Sequence, residues 1–211
     1  MKKKILFLSG LAGFVLFFIG CTKDPINNLT DEESRIYITN HDSSANFSNY
    51  KTYSISDSVA VIDNTNSQRE LTDVDQAYID AVKKYMQQRG YLLAVKNNNP
   101  DVGVDVSRII KTTTGVIDNT DYWDYYGGYW DPYYWGYGGY DYYIPYSYSV
   151  YQVSEGAMSI DILDLRNASQ NDNQIKVIWT GLIRGSGIFD STSADSQVKA
   201  LFDQSPYLKT N

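Results

Sequence analysis

Residues 72–91 read TDVDQAYIDAVKKYMQQRGY, and this stretch decides the fold. Val74, Ala77, Tyr78, Ala81, Val82 and Tyr85 recur three and four residues apart, which draws one apolar stripe along a helix. Thr72 and Asp75 stand ahead of it at the spacing of a capping pair. Asp73 and Asp75 lie near the positive helix start, while Lys83, Lys84 and Arg89 lie near its negative end. Gly90 supplies a left-handed stop. The spacing therefore predicts a helix from Asp73 to Arg89 that must bury one face on another layer.

The flanking sequence supplies that layer. RIYIT (35–39) and YKTYSI (50–55) alternate in the manner of strands, and DNTNSQRE (63–70) reads as a polar loop. YLLAV (91–95) leaves the helix stop as a short strand, and NNNPD turns the chain. VGVDVSRII (102–110) sets Val102, Val104 and Val106 on one face. AMSIDILDL (157–165) does the same with Met158, Ile160 and Ile162, and QIKVIWTGLI (174–183) with Ile175, Val177 and Trp179. The polar RNASQNDN between these two predicts an antiparallel hairpin. Ala194, Val198, Leu201 and Phe202 mark a closing helix over 194–204, ended by Pro206. The expected fold is one α+β domain over 35–207. Its antiparallel sheet of about five to six strands carries two helices on one face, leaving the other for solvent or a partner.

The amino terminus has a different character. MKKKILFLSGLAGFVLFFIG places Lys2, Lys3 and Lys4 before an apolar run and ends in a small residue, the pattern of a secretory signal over 1–20. The apolar run is too short for a spanning helix, which needs about 20 such residues. Cys21 follows, the only cysteine in the chain. FIGC resembles the lipobox of bacterial lipoproteins, although Phe18 replaces the usual leucine. That resemblance implies cleavage before Cys21 and a covalent lipid on it. Several acyl chains together hold a protein on a bilayer effectively permanently, since each buried CH₂ contributes about 0.8 kcal/mol. Residues 21–34 form a lipidated cysteine and a polar tether. Fully extended, the tether spans about 40 Å at roughly 3.3 Å per residue. Thr22 is not the aspartate that favours inner-membrane retention, so the expected location is the cell envelope at the outer membrane, on its periplasmic or surface side.

Charge and composition exclude several function classes. The chain carries −7, and losing Lys2, Lys3 and Lys4 with the signal takes it to −10. Nucleic acid is excluded as a partner, because it needs a basic patch to release counterions. Anionic membrane surfaces are disfavoured on the same ground, so lipid alone provides the membrane contact. A lone cysteine permits no internal disulfide. His41 is the single histidine and is expected in a solvated loop, so no zinc or copper site is expected, nor any Ser-His-Asp triad. No cofactor is implied beyond the lipid on Cys21. GLIRGSG (181–187) lacks the GK[ST] of a phosphate loop.

Carboxylates remain. Glu155, Asp161 and Asp164 share one strand, and alternation with Ile160 and Ile162 turns Asp161 to the opposite, wet face. A suitably spaced pair hydrolyses glycosidic bonds, so a weak carboxylate glycoside hydrolase is an alternative reading. Acidic residues on a solvated sheet face are ordinary, however, and no catalytic residue is assigned.

Residues 121–151 are the strongest candidate for a contact site. They hold 13 of the chain's 20 tyrosines, three of its four tryptophans, and no lysine or arginine. Pro132 and Pro145 interrupt them, which argues against a regular central strand or helix. The readings are a flexible insertion partly covering the sheet, a protein-contact surface, a glycan-stacking surface, or a self-association tract. The candidate contact residues are Tyr122, Trp123, Tyr129, Trp130, Tyr133, Tyr134, Trp135, Tyr137 and Tyr140, for an envelope protein or a glycan. Oligomeric state is not set by the sequence.

FSNYKTY, a helix ending in RGY, PDVGVDV, a Tyr/Gly/Trp-rich connection, EGAMSIDILD, VIWTG and a closing helix before proline occur here in order. This succession resembles the lipoprotein family of domain of unknown function 4136, over roughly Arg35 to Tyr207. The resemblance implies a small envelope-anchored α+β domain and brings no activity with it.

Overall fold

The computed structural model describes residues 29–62, 67–110, 132, 134–145 and 156–210. Cys21, Tyr122, Trp123, Tyr129, Trp130 and Tyr133 lie outside them, as does Glu155.

The helix expected from the opening stretch is α2, Asp73–Gln88; a helical turn, α1, Asp31–Ser34, precedes it and α3, Ala194–Gln204, follows. Thr72 caps α2 through its hydroxyl, and Asp75 returns a bond to the Thr72 N–H at 2.8 Å, so the capping pair is complete. Tyr78, Ile79, Ala81, Val82, Tyr85 and Met86 are its buried residues together with Asp75. The stretch expected as tether over 22–34 thus ends in structure: α1 carries its own capping box between Thr30 and Glu33.

The strands are β1 (Ile36–His41), β2 (Thr52–Ile55), β3 (Val59–Ile62), β4 (Ser67–Glu70), β5 (Leu92–Leu93), β6 (Val102–Ile109), β7 (Asp141–Tyr143), β8 (Ala157–Asp164) and β9 (Gln174–Arg184). They form one sheet in the order β1-β9-β8-β6-β2-β5, with β3 also beside β6, β4 beyond β3, and β7 beside β9. The sheet is mixed, which corrects the antiparallel expectation. β6-β8, β8-β9, β1-β9 and β3-β4 are antiparallel, whereas β2-β6, β2-β5, β3-β6 and β7-β9 are parallel. For β2 and β3 the cause is the crossover through α2, which returns the chain as β5 and β6 running in the same direction, as parallel neighbours require; β7 and β9 both follow α2. The polar loop expected over 63–70 is corrected too, because Ser67–Glu70 pairs with β3 residue for residue.

Alternation sends side chains to two cores. Val102, Val104, Val106, Met158, Ile160 and Ile162 pack under α2 and α3 in one. Ile109, Ala157, Leu163, Leu165, Ile175, Val177 and Leu182 form the other, on the opposite face. A bulge between Ile162 and Leu163 in the β8-β9 pairing skips Ile178, so Trp179 faces the helices while Ile175 and Val177 do not. That divides the trio expected on one side. The Trp179 indole donates to Ser205 Oγ at 2.9 Å, and the Tyr78 hydroxyl sits 2.7 Å from the Ile188 carbonyl and 2.6 Å from Gln197 Oε1. These bonds tie β9, α2 and α3 together.

His41 closes β1 and is half-buried, its ring 4.1 Å from the Tyr207 ring. The solvated loop expected for it is therefore replaced by an aromatic stack with Tyr207 and Phe47. Among the described residues no helix is long and apolar enough to cross a membrane.

Candidate functional site

The described part of the aromatic segment lies on the sheet face opposite the helices. Its course starts in a turn: Trp135 and Tyr137 both donate their N–H groups to the Pro132 carbonyl, at 3.2 and 2.8 Å. Gly136 and Gly139 take positive φ of 84° and 85°, which lets the chain double back between aromatic side chains. Asp141 then donates to the Asn173 carbonyl at 3.1 Å, and β7 joins the sheet beside β9. A regular element thus does form within this segment, short enough to fit between Gly139 and Pro145.

The sequence-derived contact residues found here have separate duties. Trp135 is 5% exposed and lies in the second core. Its indole covers Gly103, where a Cβ would come within 3.2 Å of the ring. Trp135 is therefore a core residue, a correction to its place among contact residues. Glycine inside a strand signals such a close approach, and Gly103 in PDVGVDV carried that signal. Tyr137 is half-buried and donates its hydroxyl to the Leu165 carbonyl at 2.8 Å. Tyr140 packs edge-on against Tyr137 and meets Ser169 Oγ at 3.0 Å. Replacing Tyr137 by Phe removes one neutral hydrogen bond, so we expect a loss of about 1 kcal/mol in urea unfolding with the m-value unchanged.

Tyr134 is different. Its hydroxyl accepts the Asp57 N–H at 3.1 Å, and its ring meets Trp135 edge-on at 4.8 Å. Two cations flank the ring, Lys96 Nζ 3.9 Å from the centroid and the Arg69 guanidinium 5.5 Å away. Burial pushes its phenol upward. The ring stands in the wall of an open notch of about 440 Å³ at the sheet edge. Ser54, Ile55, Ser56 and Asp57 line the notch from the end of β2, Lys83 from α2, and Leu93 to Lys96 from β5 onward. Sequence reading missed all of these but Tyr134. The hint was YLLAVK, where three large apolar residues, Leu92, Leu93 and Val95, have no place in either core.

The carboxylates occupy different ground from that expected. Asp161 does turn away from the helices, yet it is 0% exposed instead of wet. It stands directly opposite Asp105 in the β6-β8 register, and Asp105 is buried as well. Arg69 reaches Asp105 at 3.2 Å, and Ser107 donates to it at 3.3 Å. Ser159 donates to Asp161 Oδ2 at 3.1 Å, while Oδ1 has no hydrogen-bond partner among the described residues. Burial, with the Asp105 charge adding to it, pushes Asp161 up to about 8 against the opposing pull of Thr180 and Ser159. Burial raises Asp105 too, against the pull of Arg69. Neither carboxylate lines the notch. Asp101 accepts the Lys51 and Thr52 N–H groups and pairs with Arg166, and Asp164 accepts from Tyr50 and Asn167. Asp101 and Asp164 are thereby engaged in holding the fold, while Asp105 and Asp161 are shut inside it at a cost. Among the described residues, no three His, Cys, Asp or Glu side chains gather as a metal would require.

Comparison with known proteins agrees with this architecture. The model of a family described as a domain of unknown function, DUF4136, matches residues 38–207. A crystal structure of a DUF4136 family protein from Bacteroides thetaiotaomicron is similar, with 27% identity and a TM-score of 0.70. The match covers 84% of this chain and 99% of that one. No curated protein matches the sequence.

Proposed function

Taking as premise that the chain belongs to the DUF4136 family, we propose that it is a membrane-anchored, non-enzymatic binding module of the cell envelope. Lipid on Cys21 would hold it at the outer membrane, and its aromatic surface would contact an envelope protein. The observation that carries the binding reading is Tyr134, an aromatic ring fixed by Asp57 and flanked by two cations in the wall of an open notch. Tyrosine offers large contact area with few torsions to freeze, and a preset ring loses little more on binding. The buried carboxylates support the non-enzymatic side, since a hydrolytic pair must meet substrate and these face the interior.

Two experiments test this reading. Cys21→Ala should abolish metabolic labelling with palmitate and move the protein out of the membrane fraction; persistent labelling would refute the anchor. For the contact surface, Pro132–Pro145 must be kept, because Trp135 and β7 belong to the folded core. Within that segment, Tyr134→Ala takes the ring out of the notch wall while leaving Trp135 and β7 in place, and should remove the proteins cross-linked in intact cells. An unaltered cross-linked set would end the aromatic-contact reading.

A further inference from the structure

The geometry points to a specific occupant for the notch: an extended strand of a partner protein, carrying an acidic side chain, that adds to the free edge of β5. This deepens the binding reading above and rests on it. The edge is open by construction. Leu92 and Ala94 turn their N–H groups to the Lys51 and Tyr53 carbonyls of the β2 side, at 2.9 and 2.8 Å. Strand alternation therefore turns the Leu93 N–H and carbonyl outward, away from the sheet. Among the described residues β5 pairs only with Thr52 and Tyr53, so beyond them it diverges from β2 and the notch opens beside Ile55. Natural sheet edges are usually blunted by charge, proline or cover. Here Leu92 is 67% exposed, Leu93 49% and Val95 65%, which is costly unless a partner covers them.

Charge selects the kind of strand. The chain carries −7, yet the notch presents Lys83 and Lys96 against Asp57 alone. Asp80 pairs with Lys83 at 3.4 Å, whereas Lys96 lies over the Tyr134 ring and has no ion pair among the described residues. A carboxylate on the incoming strand would pair with Lys96 while its apolar neighbours cover Leu93 and Val95. A second copy of this chain fits less well, because two chains that each carry −10 once the signal is lost repel.

The probe is a pair of fluorescent octapeptides of alternating Thr and Val, one with a central Glu and one with Lys there, titrated by anisotropy. The Glu peptide should bind the wild type more tightly, and Lys96→Glu should reverse that preference. Leu93→Pro deletes the outward N–H without touching the bonds to β2, and should weaken binding about tenfold or more. Leu93→Ala keeps the N–H and should retain most of the binding. Hydrogen exchange at the Leu93 amide should slow when the Glu peptide is added. Equal binding by wild type and Leu93→Pro, or no binding to the wild type at millimolar peptide, would overturn the proposal. So would sedimentation showing a wild-type dimer that Leu93→Pro dissociates, since a second copy would then be the occupant. Tyr134→Ala decides the aromatic-contact reading separately, since the Tyr134 hydroxyl bonds to Asp57 and takes no part in the β5 pairing.

Discussion

Asp161→Asn should make the protein more stable at neutral and alkaline pH and abolish much of the loss of stability that the wild type shows on going from acid to base. The folded protein holds the Asp161 proton up to about pH 8, whereas the unfolded carboxyl releases it near 3.8. The stability that comes from burying neutral Asp161 is therefore fully present below about pH 4. It is lost as pH rises through 8, at up to about 1.4 kcal/mol per unit. Asparagine has no proton to lose, so this slope disappears. At pH 7 we expect a gain of about 2–4 kcal/mol in urea unfolding, and no gain at pH 4. A wild type as stable at pH 8 as at pH 5, with the variant no better, would contradict the assignment. Asp105→Asn is the contrasting case. It leaves Arg69 without its carboxylate partner and should stabilise less, because the pair it breaks already offsets part of the burial cost.

Arg108→Met should lower stability by about 3–5 kcal/mol, the usual cost of breaking a buried pair from one side. Arg108 extends from β6 to the start of α2, where its Nε donates to Asp75 Oδ1 at 3.0 Å and its other arm reaches Glu70. Asp75 is 0% exposed and already accepts from the Thr72 N–H and hydroxyl as the helix cap. Methionine fills the arginine stem's place but leaves that carboxylate buried beside a neutral side chain. For a domain of this size, the melting temperature should fall by roughly 10 °C or more. Adding Asp75→Asn should recover part of the loss, since it removes the stranded charge while keeping an oxygen for the cap. If the single variant melts within a degree or two of wild type, Arg108 does not organise the sheet-helix junction.

Both predictions concern groups whose role the sequence half disclosed. TDVDQAY read correctly as a helix start, but nothing local showed that Asp75 would also receive an arginine from β6. Alternation placed Asp161 on the correct face of its strand. It could not report what covers that face, because period two distinguishes sides and not surroundings. The direction of pairing escaped for the same reason: a strand's side-chain pattern is the same beside a parallel or an antiparallel neighbour. β4 and β7 were missed because SQRE and DYY hold no buried apolar face of their own; each joins the sheet by backbone pairing. The long strands β6, β8 and β9 stood out because their apolar halves meet α2 and α3. The notch was invisible in advance, as it arises where β5 stops following β2.

The pairing of β1 with β9 has a consequence for how this chain is made. Ile36, near the start of the domain, finds its partner in Arg184, near the end. Contacts between such distant positions form late, and among the described residues β1 has no other neighbour in the sheet. A ribosome releases residue 36 long before residue 184, so the first strand to appear must wait, unpaired, for the last. The domain can close only after nearly its whole length is free. A topology of this kind keeps the growing chain open until synthesis is almost complete.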